Sequence, residues 1–391
     1  MKIEGHLEID LYRDARQIRD VAIRSTRPFK AVTIFWGKKV EEVLETLPLL
    51  YSVCGTAQAM AAVTACEQAM AIDVSSDQKK ARELLVKAET SQEHMFRILL
   101  DWPAFTGRKS GAALMAPMNR LPGCLRKTLF PRDNPFQLGG GTIAVNRHEL
   151  ELCLDDAQRL VEIRIFDLEF DAWKSITSEA ALMSWADRSS SIAAALIQLV
   201  MREGWSDFGR STITGLPCLE TEDLHDRLSA SSADEFISQP LWQGVSHETT
   251  PFTRQHKSPL IRDLGDSYGN GLLPRLVARL HELVVNIDEM RHLAFGLERD
   301  MGSVTTGRMS GSGLSQVEAA RGRLIHRVEV ENGRAKRYQI VAPTEWNFHP
   351  RGLLTHALGG RAAADKVTLF KQAMLLVNAI DPCVDYRVRV H

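Results

Sequence analysis

Asp381-Pro382-Cys383-Val384-Asp385-Tyr386-Arg387-Val388-Arg389-Val390-His391 are the last eleven residues of the chain. They follow directly on an apolar run of helical period and carry a lone cysteine. A second isolated cysteine, Cys54, stands far upstream in Tyr51-Ser52-Val53-Cys54-Gly55-Thr56-Ala57. An Asp-Pro-Cys tripeptide has little specificity by itself. Its weight comes from its position at the terminus and from its pairing with the upstream cysteine.

With 391 residues the chain has room for one large domain or for two to three ordinary ones. Hydrophobic residues make up 44% and charged residues 25%, an ordinary globular balance. The net charge of −1, with no run of five like charges, gives no bulk attraction to nucleic acid. Six cysteines are sparse for a disulfide framework, so free thiols in a reducing compartment are expected. Cys66, Cys124, Cys153 and Cys218 read as inert buried residues. Met1-Lys2-Ile3-Glu4-Gly5-His6 has no apolar signal core. The longest apolar stretches, such as 192–200, are too short to cross a bilayer. A cytoplasmic protein without membrane or nucleic-acid partners is expected.

Leu7, Ile9 and Leu11 alternate with Glu8 and Asp10, as in a half-buried strand, and 32–36 is a second strand candidate. Residues 55–72, rich in Ala and Met, read as a buried helix. Residues 77–100 carry an apolar stripe of Leu84, Leu85, Ala88, Met95, Ile98 and Leu99, opposite Lys and Glu. Five prolines and Gly139-Gly140-Gly141 make 102–142 a mostly irregular excursion. Helices are expected at 147–168 and 178–203, with polar loops over 204–270. A long core helix begins near Pro274 and carries Leu276, Leu280, Leu283, Ile287 and Met290. Residues 300–316 read as a Gly/Ser/Thr linker. Asn332-Gly333 predicts a type I′ hairpin turn between strands 324–330 and 338–341. A last helix, 361–380, leads to Asp381. The pattern is α+β.

Six segments, in order, resemble the large subunit of nickel–iron hydrogenases. They are Ile3-Glu4-Gly5-His6-Leu7; Val53-Cys54-Gly55; Ser258-Pro259-Leu260-Ile261-Arg262 with Leu276-Val277-Ala278-Arg279-Leu280; Glu318-Ala319-Ala320-Arg321-Gly322-Arg323-Leu324-Ile325-His326; Ala342-Pro343-Thr344-Glu345-Trp346-Asn347; and Asp381-Pro382-Cys383. The resemblance implies that family's fold, a central long-helix bundle with small antiparallel sheets, in one domain. Within it lie N-terminal strands over 1–37, a helical core over 38–300 with loop excursions at 102–142 and 204–270, and a C-terminal hairpin, helix and cysteine motif over 317–391.

In that family each end carries a Cys-x-x-Cys pair. The first cysteine of each binds nickel terminally, and the second bridges nickel to an iron bearing cyanide and carbon monoxide. Here Cys54 and Cys383 match the terminal ligands, while Ala57 and Tyr386 stand at the bridging positions. Tyr386 then fills the space of the missing thiolate. Ala61 and Arg389 replace family histidines, and the latter change puts the family's magnesium site in doubt. Ala320 replaces a proline. The resemblance places Arg321 and Thr344 as donors to cyanide, and Leu324 and Pro343 as apolar contacts on the carbonyl side. It makes Glu4 the counterpart of a proton-relay glutamate. Bland alternatives stand beside these: a structural ion pair for Arg321, turn chemistry for Thr344, a structural role for Glu4. His6 and His326 read as hydrogen-bonded core histidines. Cys54 stands just ahead of a helix, whose dipole is expected to lower its thiol pKa.

The chain also resembles the large-subunit-like maturation proteins of the HupK/HoxV type. This resemblance implies a non-catalytic scaffold that holds an Fe(CN)2(CO) centre on Cys54 and Cys383, takes no nickel, and passes the iron to an apo hydrogenase large subunit. The implied donors are a small cysteine-bearing maturation chaperone and its iron–sulfur partner. The chain ends two residues past Arg389, without a tail for a maturation protease. The other readings are a metal-free binding module that regulates assembly and a divergent catalytic large subunit.

Overall fold

The computed structural model describes residues 5–302, 307–362 and 365–391. Glu4, and with it the proton-relay expectation, lies outside the described residues. Two three-stranded sheets flank a helical core. The first contains β1 (His6–Arg13), β2 (Ile18–Ser25) and the C-terminal β6 (Asp385–Val390), in the order β2-β1-β6. The second contains β3 (Gly311–Ala319), β4 (Gly322–Glu331) and β5 (Arg334–Val341), in that order.

The alternation in β1 buries Leu7, Ile9 and Leu11. Asp10, expected on the solvent side with Glu8, is buried too, because Arg389, Arg24 and His391 converge on its carboxylate. β1 pairs antiparallel with β2 and parallel with β6, in register Ile9↔Val388 and Leu11↔Val390. This sheet is therefore mixed rather than antiparallel. The second strand candidate, 32–36, is instead a 3-10 helix, Phe29–Phe35. Its two buried residues, Val32 and Phe35, are three apart and eclipse in a three-residue turn.

α1 (Val40–Leu50) and α2 (Gly55–Ala69) meet at 95°, with Cys54 at the elbow. α3 (Ser76–Phe96) starts where Ser75 Oγ accepts from the Gln78 N–H. α2 packs on β3, and the supposed linker 300–316 contains the first half of that strand. Its glycines permit the close approach: a Cβ on Gly313 would lie 2.0 Å from the Ala65 carbonyl oxygen.

The excursion 102–142 contains a helix, Met115–Leu129, that runs through Pro122. Met115, Met118, Leu121, Leu125 and Leu129 form its buried stripe, and that 3-4 spacing outweighs the hydrogen bond lost at Pro122. The neighbouring helix Arg147–Val161 brings Cys153 to Cys124, and the two form a disulfide with Cα atoms 6.5 Å apart. The expectation of inert buried thiols fails for this pair, and for Cys218, which is exposed; Cys66 is buried. Helix 178–203 is split into Glu179–Arg188 and Ile192–Arg202, the second capped by Ser191. The polar stretch 204–270 holds four short helices.

The long core helix, Leu272–Phe295, lies between α3 and the last helix, Lys366–Ile380. It buries Leu276, Leu280, Leu283, Ile287 and Met290 and also two arginines. Arg275 pairs with buried Glu248 at 2.8 Å, and Arg279 donates to the carbonyls of Asn378 and Ala379. Those carbonyls end the last helix and would otherwise be orphaned. The β4–β5 turn has Asn332 and Gly333 at φ +52° and +69°, as a type I′ turn requires. Among the described residues no single helix is long and apolar enough to cross a membrane.

Candidate metal-binding site

Asp381 ends the last helix in the left-handed region, at φ +67°, which Asp tolerates better than most residues. Its buried carboxylate is gripped by Arg97 Nε (2.7 Å), Arg321 Nε (3.2 Å) and Arg279 Nη2 (3.5 Å). The sharp turn and this anchor set Cys383 two residues on. The elbow between α1 and α2 sets Cys54. Both cysteines line one cavity of ≈ 70 Å³, together with Arg321, Leu324 and Pro343. A single water needs roughly 10–15 Å³ on this scale, so a handful of water-sized groups fits. The cavity opens on an outer groove through Val53, Arg321, Cys383 and Val384.

Each sulfur accepts a side-chain hydrogen bond. Gln58 Nε2 donates to Cys54 Sγ at 3.6 Å, and Gln58 Oε1 faces His326 Nε2 at 2.9 Å. His326 is fully buried, and its Nδ1 lies 2.8 Å from the Tyr338 hydroxyl. Burial holds this imidazole neutral, with a pKa pushed down to about 3. Thr344 Oγ1 donates to Cys383 Sγ at 3.1 Å and accepts from the Cys383 N–H at 3.3 Å. The Thr344 hydroxyl proton is thus engaged on the sulfur, and Thr344 does not line the cavity.

The Cys54 thiol does not follow the dipole expectation. Burial, then the charges of Cys383 and Glu89, push it up to about 12. The helix N-terminus does not offset this burial, because it already has an owner. Glu89 Oε1 accepts from the Thr56 N–H (2.7 Å) and Oε2 from the Ala57 N–H (2.9 Å), so the first turn of α2 is spent on a carboxylate. Burial also pushes Glu89 up, to about 7.

Arg321 is buried, with Nη2 on Glu93 at 2.8 Å and Nε on Asp381. Its Nη1 is buried without a partner among the described residues. Its backbone carbonyl accepts from buried Asn347 Nδ2 at 3.1 Å, which ties the two C-terminal motifs together. Arg321 thus builds an ion-pair frame with two of its nitrogens and lines the cavity, with the third lacking a partner among the described residues.

Neither Ala57 nor Tyr386 lines the cavity. Tyr386 lines the outer groove instead, beside Cys383. Arg389, at a lost histidine position, pairs with Asp10 and Glu8. His6 is exposed and bonded to Thr26, not part of the core. Sequence reasoning missed Arg27, Gln58, Glu89 and Glu345. Only Gln58 left a legible signal, four residues after Cys54 on one helix face.

Among the described residues no group of three or more His, Cys, Asp or Glu side chains is placed to hold a metal ion. Two sulfurs, a free guanidinium nitrogen and an apolar wall at Leu324 and Pro343 suit a soft metal whose remaining ligands are small and accept hydrogen bonds.

The nickel-dependent hydrogenase family matches residues 262–384. The hydrogenase expression/formation protein HoxV of Cupriavidus necator is 29% identical, over 94% of this chain and 92% of that protein. HupK of Azotobacter vinelandii, another hydrogenase expression/formation protein, is 26% identical over 99% and 98%. The sulfhydrogenase 2 alpha subunit of Pyrococcus furiosus is 21% identical over 99% and 97%. Among solved structures, the nickel–iron–selenium hydrogenase of Desulfomicrobium baculatum superposes with a TM-score of 0.72 at 16% identity, covering 97% of each chain. That of Desulfovibrio vulgaris Hildenborough gives 0.70, at 16% identity and 97% and 96% coverage. The chain is a degenerate homologue of the nickel–iron hydrogenase large subunit, of the HupK and HoxV type.

Proposed function

We propose that the protein acts in hydrogenase maturation as a scaffold, holding an iron that carries two cyanides and one carbon monoxide and passing it to an apo hydrogenase large subunit. The observation that carries this reading is the convergence of Cys54 and Cys383 on one cavity beside the unpartnered Nη1 of buried Arg321. Relatives named as hydrogenase expression/formation proteins, aligned over nearly the whole chain, support the maturation role.

The iron unit is cargo here, not a resident cofactor. Two thiolates and three diatomic ligands make five donors, one short of octahedral iron. The open position, and the absence of a four-thiolate cage, favour a releasable iron and disfavour nickel. Arg321 Nη1 donates toward a cyanide nitrogen, while Leu324 and Pro343 keep the carbonyl side dry. Because Cys54 is protonated near neutral pH in the metal-free protein, loading releases its proton. A small cysteine-bearing maturation chaperone with its iron–sulfur partner delivers the unit. Hydrogen cleavage is not the favoured activity, since Ala57 and Tyr386 supply no bridging thiolates.

Infrared spectroscopy of protein purified from a hydrogenase-producing host tests the reading. Cyanide and carbonyl stretching bands are expected from the unaltered protein. Their loss is expected in Cys54→Ser and Cys383→Ser, with circular dichroism unchanged. An unaltered protein without bands while the maturation system is active would instead be a metal-free regulator of assembly. A serine variant that keeps the bands removes that cysteine from the ligand set.

A further inference from the structure

Two cyanides present two nitrogen acceptors to the cavity wall. Arg321 offers one free nitrogen, Nη1. The Thr344 hydroxyl, the other donor suggested by the resemblance, is engaged on Cys383 and lies outside the cavity lining. The second acceptor therefore lacks its expected partner.

We infer that Arg27 is that partner: a second guanidinium in the cavity, donating to the cyanide that Arg321 does not reach. The inference rests on the scaffold reading and adds to it a binding residue that none of the six motifs contains. Arg27 lines the same cavity as Cys54 and Cys383. Its side chain is 12% exposed. Nη1 is held by both oxygens of Glu345, at 3.0 and 3.1 Å. Its Nε and Nη2 have no partner among the described residues. Guanidinium geometry fixes all five donors in one plane, so anchoring Nη1 fixes where the free nitrogens stand.

The backbone is equally constrained. Pro28 follows Arg27 and biases it toward extended conformation. Gly5, at φ +72°, packs so close that a Cβ there would lie 2.7 Å from Arg27 Cα. Electrostatics point the same way. Burial works against the charge of Arg27, but Cys383, Glu345 and Cys54 outweigh it and hold the guanidinium firmly protonated. Iron(II) with two thiolates, two cyanides and one carbon monoxide carries net charge −2. Burying such an anion is costly unless donors meet it, and hydrogen bonds from an ionised donor are about twice as strong as neutral ones.

The test is infrared spectroscopy on Arg27→Met and Arg27→Lys, beside the unaltered protein and Thr344→Val, each purified from the hydrogenase-producing host. Arg27→Met is expected to lose at least severalfold in band intensity per protein and to shift a cyanide band more than the carbonyl band. Arg27→Lys keeps a cation for Glu345 and guards against a folding defect. It is expected to retain intensity with a shifted cyanide band and an unchanged thermal midpoint, which a merely structural ion pair would not produce. Thr344→Val is expected to leave the cyanide frequencies in place. Bands present in the unaltered protein but unmoved in frequency and intensity by Arg27→Lys or Arg27→Met overturn the role of Arg27 alone. No bands from the unaltered protein overturns the scaffold reading itself.

Discussion

Cys54 is poised between two opposing neighbours on adjacent helices. Gln58 donates to its sulfur and favours the thiolate; Glu89, beneath the elbow, places a negative charge nearby and disfavours it. The two predict opposite effects. Replacing Glu89 by Gln removes a charge that raises the thiol pKa, so Cys54 should ionise at lower pH. Replacing Gln58 by Leu removes a stabilising donor, so Cys54 should ionise at higher pH. Peptide-resolved alkylation of the metal-free protein across pH 7 to 11 measures both. Profiles that move together, or not at all, contradict the assignment. The sequence made Cys54 and Cys383 legible because their motifs are local. It did not reveal Glu89, which is 35 positions downstream and meets Cys54 only because α3 folds back along α2. The dipole argument failed for the same reason: a helix N-terminus can be claimed by a residue distant in sequence.

Among the elements, strong local signals survived and mixed ones did not. The Asn332-Gly333 turn, the β1 alternation and the apolar stripe of Leu272–Phe295 all appear where periodicity and turn chemistry put them. Helix Met115–Leu129 was hidden because its prolines mask a regular apolar stripe. β3 was hidden because its glycines read as a linker, whereas they serve packing. Gly313 shows the physics. Its missing Cβ leaves room for the Ala65 carbonyl of α2, and α2 carries Cys54 at its head. Gly313→Ala should therefore separate α2 from the sheet. A cost of about 1–3 kcal/mol, the usual scale of overpacking, is expected, read as a lower midpoint in denaturant. The same variant should weaken iron retention, since the elbow moves with the helix. A Gly313→Ala protein as stable as the unaltered one would mean that β3 and α2 are not so tightly packed.

At the scale of the whole molecule, the cavity exists because the two ends of the chain meet. β1 and β6 lie side by side, although more than 370 residues separate them, and Cys383 immediately precedes the join. No local pattern announces a parallel pairing between the first and last strands, and β6 was not legible as a strand; the alternating Val384, Val388 and Val390 are buried only because β1 and the last helix cover them. Asp10 is the electrostatic clasp. Hydrogen bonds from Arg389 and His391, with Arg24 also contributing, outweigh burial and hold its carboxyl down at about 2. The unfolded chain protonates the same group near pH 4. Its folded pKa is depressed, so the stability it contributes is fully present above pH 4 and is lost as the pH falls toward 2. Allowing for solvent around Arg24 and Arg389, the contribution at neutral pH is on the order of 1–2 kcal/mol. Asp10→Asn should therefore be less stable than the unaltered protein at pH 7, and the gap between them should close between pH 4 and pH 2 in urea titrations followed by circular dichroism. Because the clasp closes the strand that follows Cys383, the variant should also hold iron more weakly at neutral pH, without any change to a residue of the cavity. A stability gap that persists unchanged at pH 2 would show that Asp10 acts through packing rather than through its charge.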